Sequence, residues 1–361
     1  MKSLAEIAKE MGISRSTVSY VHSGKWREKR ISEDLATRIL TKLRKDGAMP
    51  NLISQQLRSG STQTIGLLLP NLAQIYFLEL LSGVSNRLSE ENYMLFLGNP
   101  VRGQASRQTD FLNAMAARSV DYIILSPLPA DGLCEKLDAI RAHGIPVIFV
   151  NSYIKGCDIP FVVSDNCWGA KHLVSHLLQT GRRRILFVGM APFPSVAAFA
   201  DRLAGYYDAF AEAGLQPPAN SILWRGGERV GHEKFLAALR QILSGPERPE
   251  AIFFDSLFGS DSTILLMHEL GLKHPDDILL CGFDYPAGAL ERVEFHETAL
   301  SPLLSVQQDA RRMGRMAAEL AIHGKIAGTE SRSIFLRPFM PWEKPIAPIP
   351  DRSGFQVVEH A

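Results

Sequence analysis

Six polar side chains stand close together near the start of the chain, at a spacing suited to contacting nucleic acid. On a helix beginning after Ser14, Val18 and Val21 would face inward, leaving small hydroxyl groups, an arginine and a tyrosine on the other face. Such groups bind base edges and phosphates when a helix lies in the DNA major groove. The residues predicted to contact DNA here are Ser14, Arg15, Ser16, Thr17, Ser19 and Tyr20.

A second set of side chains lies just beyond short apolar runs further along the chain. Tyr76 and Phe77 could form an apolar wall or stack on a ring, and core packing is the alternative for both. Arg202 and Asp284, if they face each other across a dry cleft, can hold the polar groups of a small molecule from two sides. The alternative is an ion pair between them that is purely structural. The candidate ligand-binding residues are Tyr76, Phe77, Ser126, Asp165, Arg202, Asp284 and Gln308.

Three helices are predicted to position the first set. Ser3 and Glu6 form a capping box, which predicts a helix from Leu4 that ends at Gly12. Ser14 can cap the next helix and Ser32 a third with an apolar stripe. Together these features predict a helix-turn-helix unit.

The rest of the chain alternates short apolar runs with amphipathic segments, as is typical of parallel βαβ units. This repetition predicts two doubly wound parallel sheets, with ligands at the carboxyl ends of strands and in the cleft between the lobes. The predicted strands are 64–69, 93–97, 121–125, 146–150, 161–164, 184–189, 250–254, 278–282 and 303–306.

Charge divides the chain into two parts, although the whole carries only +1. Residues 1–62 hold 12 Lys and Arg against 6 Asp and Glu, a net charge of +6, and the remaining residues hold 27 against 32, a net charge of −5. A basic segment favours a polyanion partner because Lys and Arg neutralise phosphates. A solvated basic surface is the alternative.

Several motifs occur in the order found in one known family. They are SLAEIAKEMGISRSTVSYV, PNLISQQLRSG, TIGLLLPN, VVSDN, DRLAGY, LLCGFD and LLSVQQDARRMG. On these motifs nearly the whole chain resembles the lactose-repressor (LacI/GalR) family of bacterial transcription regulators. The resemblance implies a homodimer on a palindromic operator, with an effector cleft lined by residues matching Ser126, Asp165, Arg202, Asp284 and Gln308. It also implies that effector binding changes lobe closure and thereby permits or forbids DNA binding; family members of both kinds occur.

A short helix is predicted between the two parts. Asn51 can cap about two helical turns, a length that is marginal alone in water. The resemblance implies that two such helices pair in the DNA minor groove and that Leu57 wedges into the central base step. A core position is the alternative for Leu57. The residues of this segment predicted to contact DNA are Asn51, Ser54, Gln55, Leu57 and Arg58.

The chain departs from the family pattern in four places. Tyr20 stands where many members have arginine or histidine, so the usual guanine contact is not carried over. The basic turn 24–30 is a few residues longer and could add phosphate contacts. Ser256 and Leu257 replace a common Asn-Asp pair, and segment 224–228 is irregular, which weakens the expectation of a simple sugar effector.

Other function classes find little support. The chain lacks G-x-G-x-x-G after a strand, G-x-x-x-x-G-K-[ST] and G-x-S-x-G, so we expect neither an enzyme nor a cofactor. A solute-binding protein would share the two-lobed plan, but the basic segment and the lack of a secretory signal argue against it. No apolar stretch approaches the roughly 20 residues of a membrane span, so we expect a cytoplasmic protein without a membrane partner. The four cysteines show no metal-ligand spacing and are predicted to be reduced.

These patterns predict an N-terminal all-α helix-turn-helix domain followed by an α/β two-lobed, periplasmic-binding-protein-like domain. The expected boundaries are 1–49 for the DNA-binding domain, 50–62 for the hinge helix and linker, 63–340 for the effector and dimerisation domain, and 341–361 for a tail. The expected function is a homodimeric transcription regulator, a repressor, that binds operator DNA under control of a small-molecule effector. The effector's identity and the sign of its action stay open.

Overall fold

A computed structural model describes most of the chain, and its contacts divide the protein into residues 1–62, here called the head, and 63–361, the body. The predicted hinge residues Asn51, Ser54, Gln55, Leu57 and Arg58 lie outside the described residues. The described residues are 2–22, 25–46, 61–100, 105–128, 130–190, 196–225, 229–257, 260–284, 303–324, 333–340 and 356–358.

In its described part the head contains helices α1 (Leu4–Met11), α2 (Arg15–His22) and α3 (Glu33–Lys45). Both halves of the predicted capping box form at Ser3, and Gly12 ends α1 at φ 66°, where a side chain would strain the backbone. The Ser14 hydroxyl accepts a hydrogen bond from the Thr17 amide at 3.0 Å and so caps α2. Ile7, Val18, Val21 and Ile39 close a small apolar core.

The first lobe of the body is a parallel sheet whose described strands run in the order β12-β11-β5-β4-β3-β1-β2. Apolar residues fill β1 and β3 to β5, as expected for parallel strands covered on both faces. The strands are β1 (Thr64–Leu68), β2 (Met94–Gly98), β3 (Tyr122–Leu125), β4 (Val147–Val150), β5 (Phe161–Ser164), β11 (Ile334–Leu336) and β12 (Gln356–Val358). The helices between them are α4 (Ile75–Glu90), α5 (Ala105–Ala117) and α6 (Leu133–Ala142).

The second lobe is a parallel sheet in the order β10-β9-β8-β6-β7 among the described strands. Its core packs the rings of Phe187, Tyr206, Phe210, Phe253 and Phe283 around the sheet. The strands are β6 (Ile185–Met190), β7 (Ile222–Arg225), β8 (Ala251–Phe254), β9 (Leu279–Phe283) and β10 (Leu304–Val306). The helices are α7 (Asn166–Gln179), α8 (Ala197–Glu212), α9 (Arg229–Ser244), α10 (Asp261–Glu269) and α11 (Ala310–His323).

The chain crosses between lobes after β5 and again after β10. Helix α7 follows a first-lobe strand but packs in the second-lobe core, and α11 follows a second-lobe strand but packs against α4. The α4–α11 contact is close: a Cβ on Gly314 would lie 2.2 Å from the Leu80 carbonyl oxygen. The two lobes are therefore built from interleaved parts of the sequence.

Two kinds of feature differ from the sequence predictions. The predicted strands occur within one or two residues, but β7, β11 and β12 were not predicted. The prediction of four reduced cysteines is wrong for two, because Cys134 and Cys157 form a disulfide with their Cα atoms 5.6 Å apart. A sequence separation of 23 residues carries no information about that distance. Cys167 and Cys281 are free.

Candidate functional site

The outer face of α2 carries the head's predicted DNA contacts. Arg15, Ser16 and Tyr20 are exposed, whereas Val18 and Val21 on the same helix are buried. The Ser14 hydroxyl lies 2.7 Å from that of Ser16 and 2.8 Å from that of Thr17, so these groups are linked at the start of the helix. Thr17 and Ser19 are half-buried.

A basic turn follows α2. Lys25, Arg27, Lys29 and Arg30 are exposed, and the Lys29 ammonium lies 5.4 Å from the centre of the Tyr20 ring. Trp26 packs against the head core, with the Arg27 guanidinium 4.9 Å from its ring centre. The positive charge of this turn thus lies beside one residue of the α2 face, Tyr20.

Arg202, on α8, is the centre of a buried polar cluster in the body. Its side chain is 4% exposed, and Nε donates to Asn166 Oδ1 at 2.8 Å. Nη1 donates to the Asp255 backbone carbonyl, and the guanidinium lies 3.9 Å from the ring centre of Phe283. Burial lowers the pKa of Arg202, while the nearby Asp284 and Asp255 favour its charged form.

Asp284 faces this arginine from the end of β9. Arg202 Nη2 lies 3.9 Å from Asp284 Oδ2, so the two charges attract each other without a direct hydrogen bond. Gln308, which follows β10, donates from Nε2 to the same Oδ2 at 2.5 Å. Burial raises the pKa of Asp284, and Arg202 and Gln308 oppose that rise. The structure therefore brings together three of the predicted residues.

Tyr76 approaches the cluster from the first lobe. It lies at the start of α4, and its hydroxyl is 3.6 Å from Met313 Sδ. Burial raises the pKa of Tyr76, and the Asp284 carboxylate raises it further. The Tyr76 ring packs against the first-lobe core, in line with the core alternative, while its hydroxyl is near enough to Asp284, which follows a second-lobe strand, to interact with it electrostatically.

The other three predicted residues, Phe77, Asp165 and Ser126, each contact residues of the protein itself. Phe77 is 5% exposed and packs in the first-lobe core, which is the core alternative for this residue. Asp165 accepts from the Trp168 amide at 3.0 Å and caps α7. Ser126, buried at the end of β3, accepts from Asn151 Nδ2 at 3.0 Å.

Two charged residues of the cluster were missed. Asp255 is fully buried at the end of β8 and accepts from the Met190 amide at 2.7 Å through Oδ2, while its Oδ1 has no hydrogen-bond partner among the described residues. Burial raises the pKa of Asp255 to about 6. Arg225, 6% exposed, ends β7 and donates to the Ser256 carbonyl at 3.3 Å. For Asp255 the available signal was its position directly after a predicted strand, whereas the strand that Arg225 ends was itself not predicted.

The two lobes also touch through the loop between β4 and β5. The Tyr153 hydroxyl donates to Asp201 Oδ2 at 3.3 Å, and the Ala198 amide donates to the Ser152 hydroxyl at 3.4 Å. Burial raises the pKa of Asp201. Tyr153 and Ser152 follow first-lobe strand β4, and Asp201 and Ala198 lie on α8 of the second lobe. These contacts bridge the lobes next to Arg202.

In the described ranges of the chain no group of His, Cys, Asp and Glu is arranged to hold a metal ion. No helix in those ranges is long and apolar enough to span a membrane.

Comparisons with known proteins agree with this architecture. The chain is 27% identical to catabolite control protein A of Priestia megaterium over 77% of this chain and 81% of that protein. It is 28% identical to the HTH-type transcriptional repressor PurR of Klebsiella pneumoniae over 79% of this chain and 81% of that protein.

Solved structures share the fold. The lac repressor dimer bound to operator and the anti-inducer ONPF superposes with a TM-score of 0.76 at 18% identity, covering 93% of this chain and 96% of that one. The transcriptional regulator CelR in complex with cellobiose gives a TM-score of 0.63 at 24% identity, covering 94% and 98%. The periplasmic binding protein domain family matches residues 65–325, and the chain belongs to that family and to the LacI/GalR family of transcription regulators.

Proposed function

We propose that this DNA-binding regulator is a repressor that binds a palindromic operator as a homodimer and is released from it or recruited to it by a small molecule held between the lobes. The observation that carries the proposal is the buried cluster of Arg202, Asp284 and Gln308 in a body joined to a basic head. Because it acts on DNA, we place it in the cytoplasm. The proposal includes no chemical step and no cofactor.

DNA recognition falls to the exposed face of α2 and to the segment 50–62. Arg15, Ser16 and Tyr20 are the exposed side chains of α2 for base and phosphate contacts, with Thr17 and Ser19 beside them. One helix of this length reads only a few base pairs, whereas two related by a twofold axis read a palindrome. We assign the minor-groove contacts to Asn51, Ser54, Gln55, Leu57 and Arg58.

Effector recognition falls to groups that point between the lobes. Gln308 Oε1 is buried and has no hydrogen-bond partner among the described residues, although Nε2 of the same amide is bonded to Asp284. A buried acceptor without a partner costs stability, so a ligand that donates a hydrogen bond there gains affinity. Asp284 offers a second acceptor, and Tyr76 gives an aromatic wall. Ser126 and Asp165 complete the proposed lining, and the effector is a sugar or another metabolite rich in donors.

Coupling to DNA would pass through lobe closure. Ligand held between Arg202 and Tyr76 favours the arrangement in which Tyr153 reaches Asp201. A coupling of about 1–3 kcal/mol changes DNA affinity from several-fold to about a hundredfold. A short hinge helix is marginal on its own, so a bias of this size suffices to determine whether it forms.

Selection of bound fragments from genomic DNA tests the DNA half of the proposal. The full chain should enrich an inverted repeat, and a chain lacking residues 1–62 should bind none of the enriched DNA while its body remains folded. Leu57→Ala should weaken binding to the enriched site far more than to random DNA, because a wedge acts through deformation of one base step. Equal losses on both DNAs would exclude the wedge, and failure to enrich any inverted repeat would refute the proposed function.

A thermal-shift screen tests the effector half, using sugars, sugar acids, nucleobases and their phosphates. A compound that stabilises the wild-type body should lose its effect in Arg202→Ala, because the variant loses the cation opposite Asp284. Arg240→Ala is the matched control, since Arg240 is an exposed arginine paired with Glu269 on the surface. An equal shift in Arg202→Ala and the control would remove Arg202 from the site.

A further inference from the structure

The disulfide between Cys134 and Cys157 lies outside the effector cluster and joins two separate elements of the first lobe. Cys134 is the second residue of α6, and Cys157 lies in the loop between β4 and β5. Both cysteines are half-buried, and their neighbours Glu135, Gly156 and Asp158 are exposed. The pair is therefore partly open to solvent, although Cys157 also packs against the first-lobe core.

The same loop carries the contacts that bridge the lobes. The Ser152 hydroxyl accepts a hydrogen bond from the Ala198 amide, and the Tyr153 hydroxyl donates one to Asp201. Ala198 and Asp201 both lie on α8. The Cys157 amide donates to the Ile154 carbonyl at 3.2 Å, which places the cysteine one turn of chain from Tyr153. The loop is thus held at one end by the disulfide and at the other by the second lobe.

The ring of Tyr153 packs outside the loop, against strand β5 and the first-lobe core. Its ring stacks on Phe161 with centroids 4.7 Å apart. Just before it, Asn151 adopts φ 69° and donates to Ser126, one of the proposed effector residues. A change in the path of this loop would therefore reach both the lobe contact and the effector site.

The two free cysteines are poorly suited to exchange. Burial raises the pKa of Cys167 to about 11, and the neighbouring Asp208 adds to that rise. Cys281 is fully buried in the second-lobe core, where burial raises its pKa further. Since the thiolate is the reactive form, these two cysteines should exchange slowly. Cys134 and Cys157, by contrast, are bonded to each other.

We propose that Cys134 and Cys157 form a reversible thiol–disulfide site, and that its redox state sets how firmly the β4–β5 loop holds the second lobe. The reversibility rests on the proposed function, because a protein acting on DNA works among reducing thiol pools, where disulfides are usually transient and redox-sensing. In the reduced state the loop loses its anchor on α6, and its contacts with Ala198 and Asp201 on α8 open more often.

Glutathione disulfide is a sufficient oxidant for the exchange. The thiolate of one cysteine attacks it, forming a mixed disulfide and releasing one glutathione thiol. The second cysteine thiolate then attacks the protein sulfur of the mixed disulfide and releases the second glutathione. Two protein thiols are oxidised to one disulfide, and one glutathione disulfide is reduced to two thiols; reduction by glutathione reverses both steps.

The first measurement equilibrates the full chain with glutathione at graded ratios of thiol to disulfide, followed by alkylation and mass spectrometry. Cys134 and Cys157 should become protected from alkylation together, in one transition, while Cys167 shows no such transition. A pair that stays reduced in glutathione disulfide alone, or stays oxidised in excess glutathione, would overturn the proposal.

The second measurement compares amide hydrogen exchange in the oxidised and reduced protein. Ala198 lies in the first turn of α8, where an amide has no acceptor within the helix, so its protection reports the bond to Ser152. Reduction should raise exchange several-fold at Ala198 and across residues 151–157. Cys134→Ser should match the reduced protein under both conditions, whereas the control Cys167→Ser should respond as the wild type does.

Unchanged exchange at Ala198 on reduction would refute the coupling to the second lobe even if the pair titrates. Both measurements use the protein without DNA or effector. Their failure would therefore leave the proposed function standing, and failure to enrich an operator would leave the exchange results standing.

Discussion

Replacement of Asp255 by asparagine should change how the stability of the body depends on pH. The carboxyl is fully buried at the end of β8, with Oδ2 bonded to the Met190 amide and Oδ1 without a partner among the described residues. Asparagine keeps an oxygen acceptor for that amide and carries no charge. The substitution therefore removes the titration with little change in shape.

The magnitude follows from the pKa, which burial raises from its ordinary value of 3.8 to about 6. Between these values the folded protein binds more protons than the unfolded chain, so the free energy of unfolding falls as pH rises. The contribution of the carboxyl is favourable near pH 4, is lost as pH passes about 6, and amounts to about 3 kcal/mol in total. Asp255→Asn should accordingly gain stability relative to wild type between pH 4 and 7, by up to about 3 kcal/mol.

Urea unfolding at a series of pH values, followed by circular dichroism, measures the difference. Asp276→Asn is the matched control, because it makes the same substitution at an exposed position. A difference between Asp255→Asn and wild type that is constant from pH 4 to 7 would refute the argument. It would mean that the buried carboxyl keeps its charge throughout, stabilised by groups such as Arg225 and Arg202.

Two further predictions concern the framework of the protein. Gly314→Ala should destabilise the body by about 1–3 kcal/mol in urea unfolding, because its Cβ would collide with the Leu80 carbonyl across the α4–α11 contact. Gly245→Ala is the control, because a Cβ there would make only ordinary contacts at 3.4 Å or more, and an equal loss in both variants would contradict the close packing. Ser3→Ala should lower the stability of the head by about 1 kcal/mol, because the Glu6 amide loses the side chain that caps it. Thermal melting of the head measures the loss, and an unchanged melting temperature would show that this cap contributes nothing.

Local signals in the sequence predicted much of the fold. The capping box at Ser3 and the glycine at position 12 define the ends of α1 because each satisfies backbone groups that the helix leaves open. Strand β7 was missed because it is short and ends in Arg225, a charge at a buried position, which interrupts the apolar pattern. Strands β11 and β12 have three residues each, too few for a periodicity to appear.

The candidate site was predicted in part for a similar reason. Asp284 and Gln308 meet because parallel strands bring their carboxyl ends to one edge, so residues after different strands become neighbours, and Arg202 approaches Asp284 from α8. Asp255 follows the same rule, because it comes directly after β8, but it was not assigned to the site from the sequence. Phe77 could not be separated from Tyr76 by sequence, because adjacent helical residues point about 100° apart and only the packing of α4 determines which of them faces the core.

The contacts of Arg202 suggest how ligand binding and lobe closure could be joined. Nε is bonded to Asn166, the first residue of α7, at the point where the chain leaves the first lobe and enters the second. Nη2 faces Asp284, where a ligand would compete for the same carboxylate. A ligand that draws the guanidinium towards itself must therefore strain or release the bond to Asn166 at the crossover. Arg202→Lys would keep the positive charge, but its single nitrogen could not bond to Asn166 and face Asp284 at the same time. We therefore expect this variant to bind effector while transmitting less of the binding energy to the lobes.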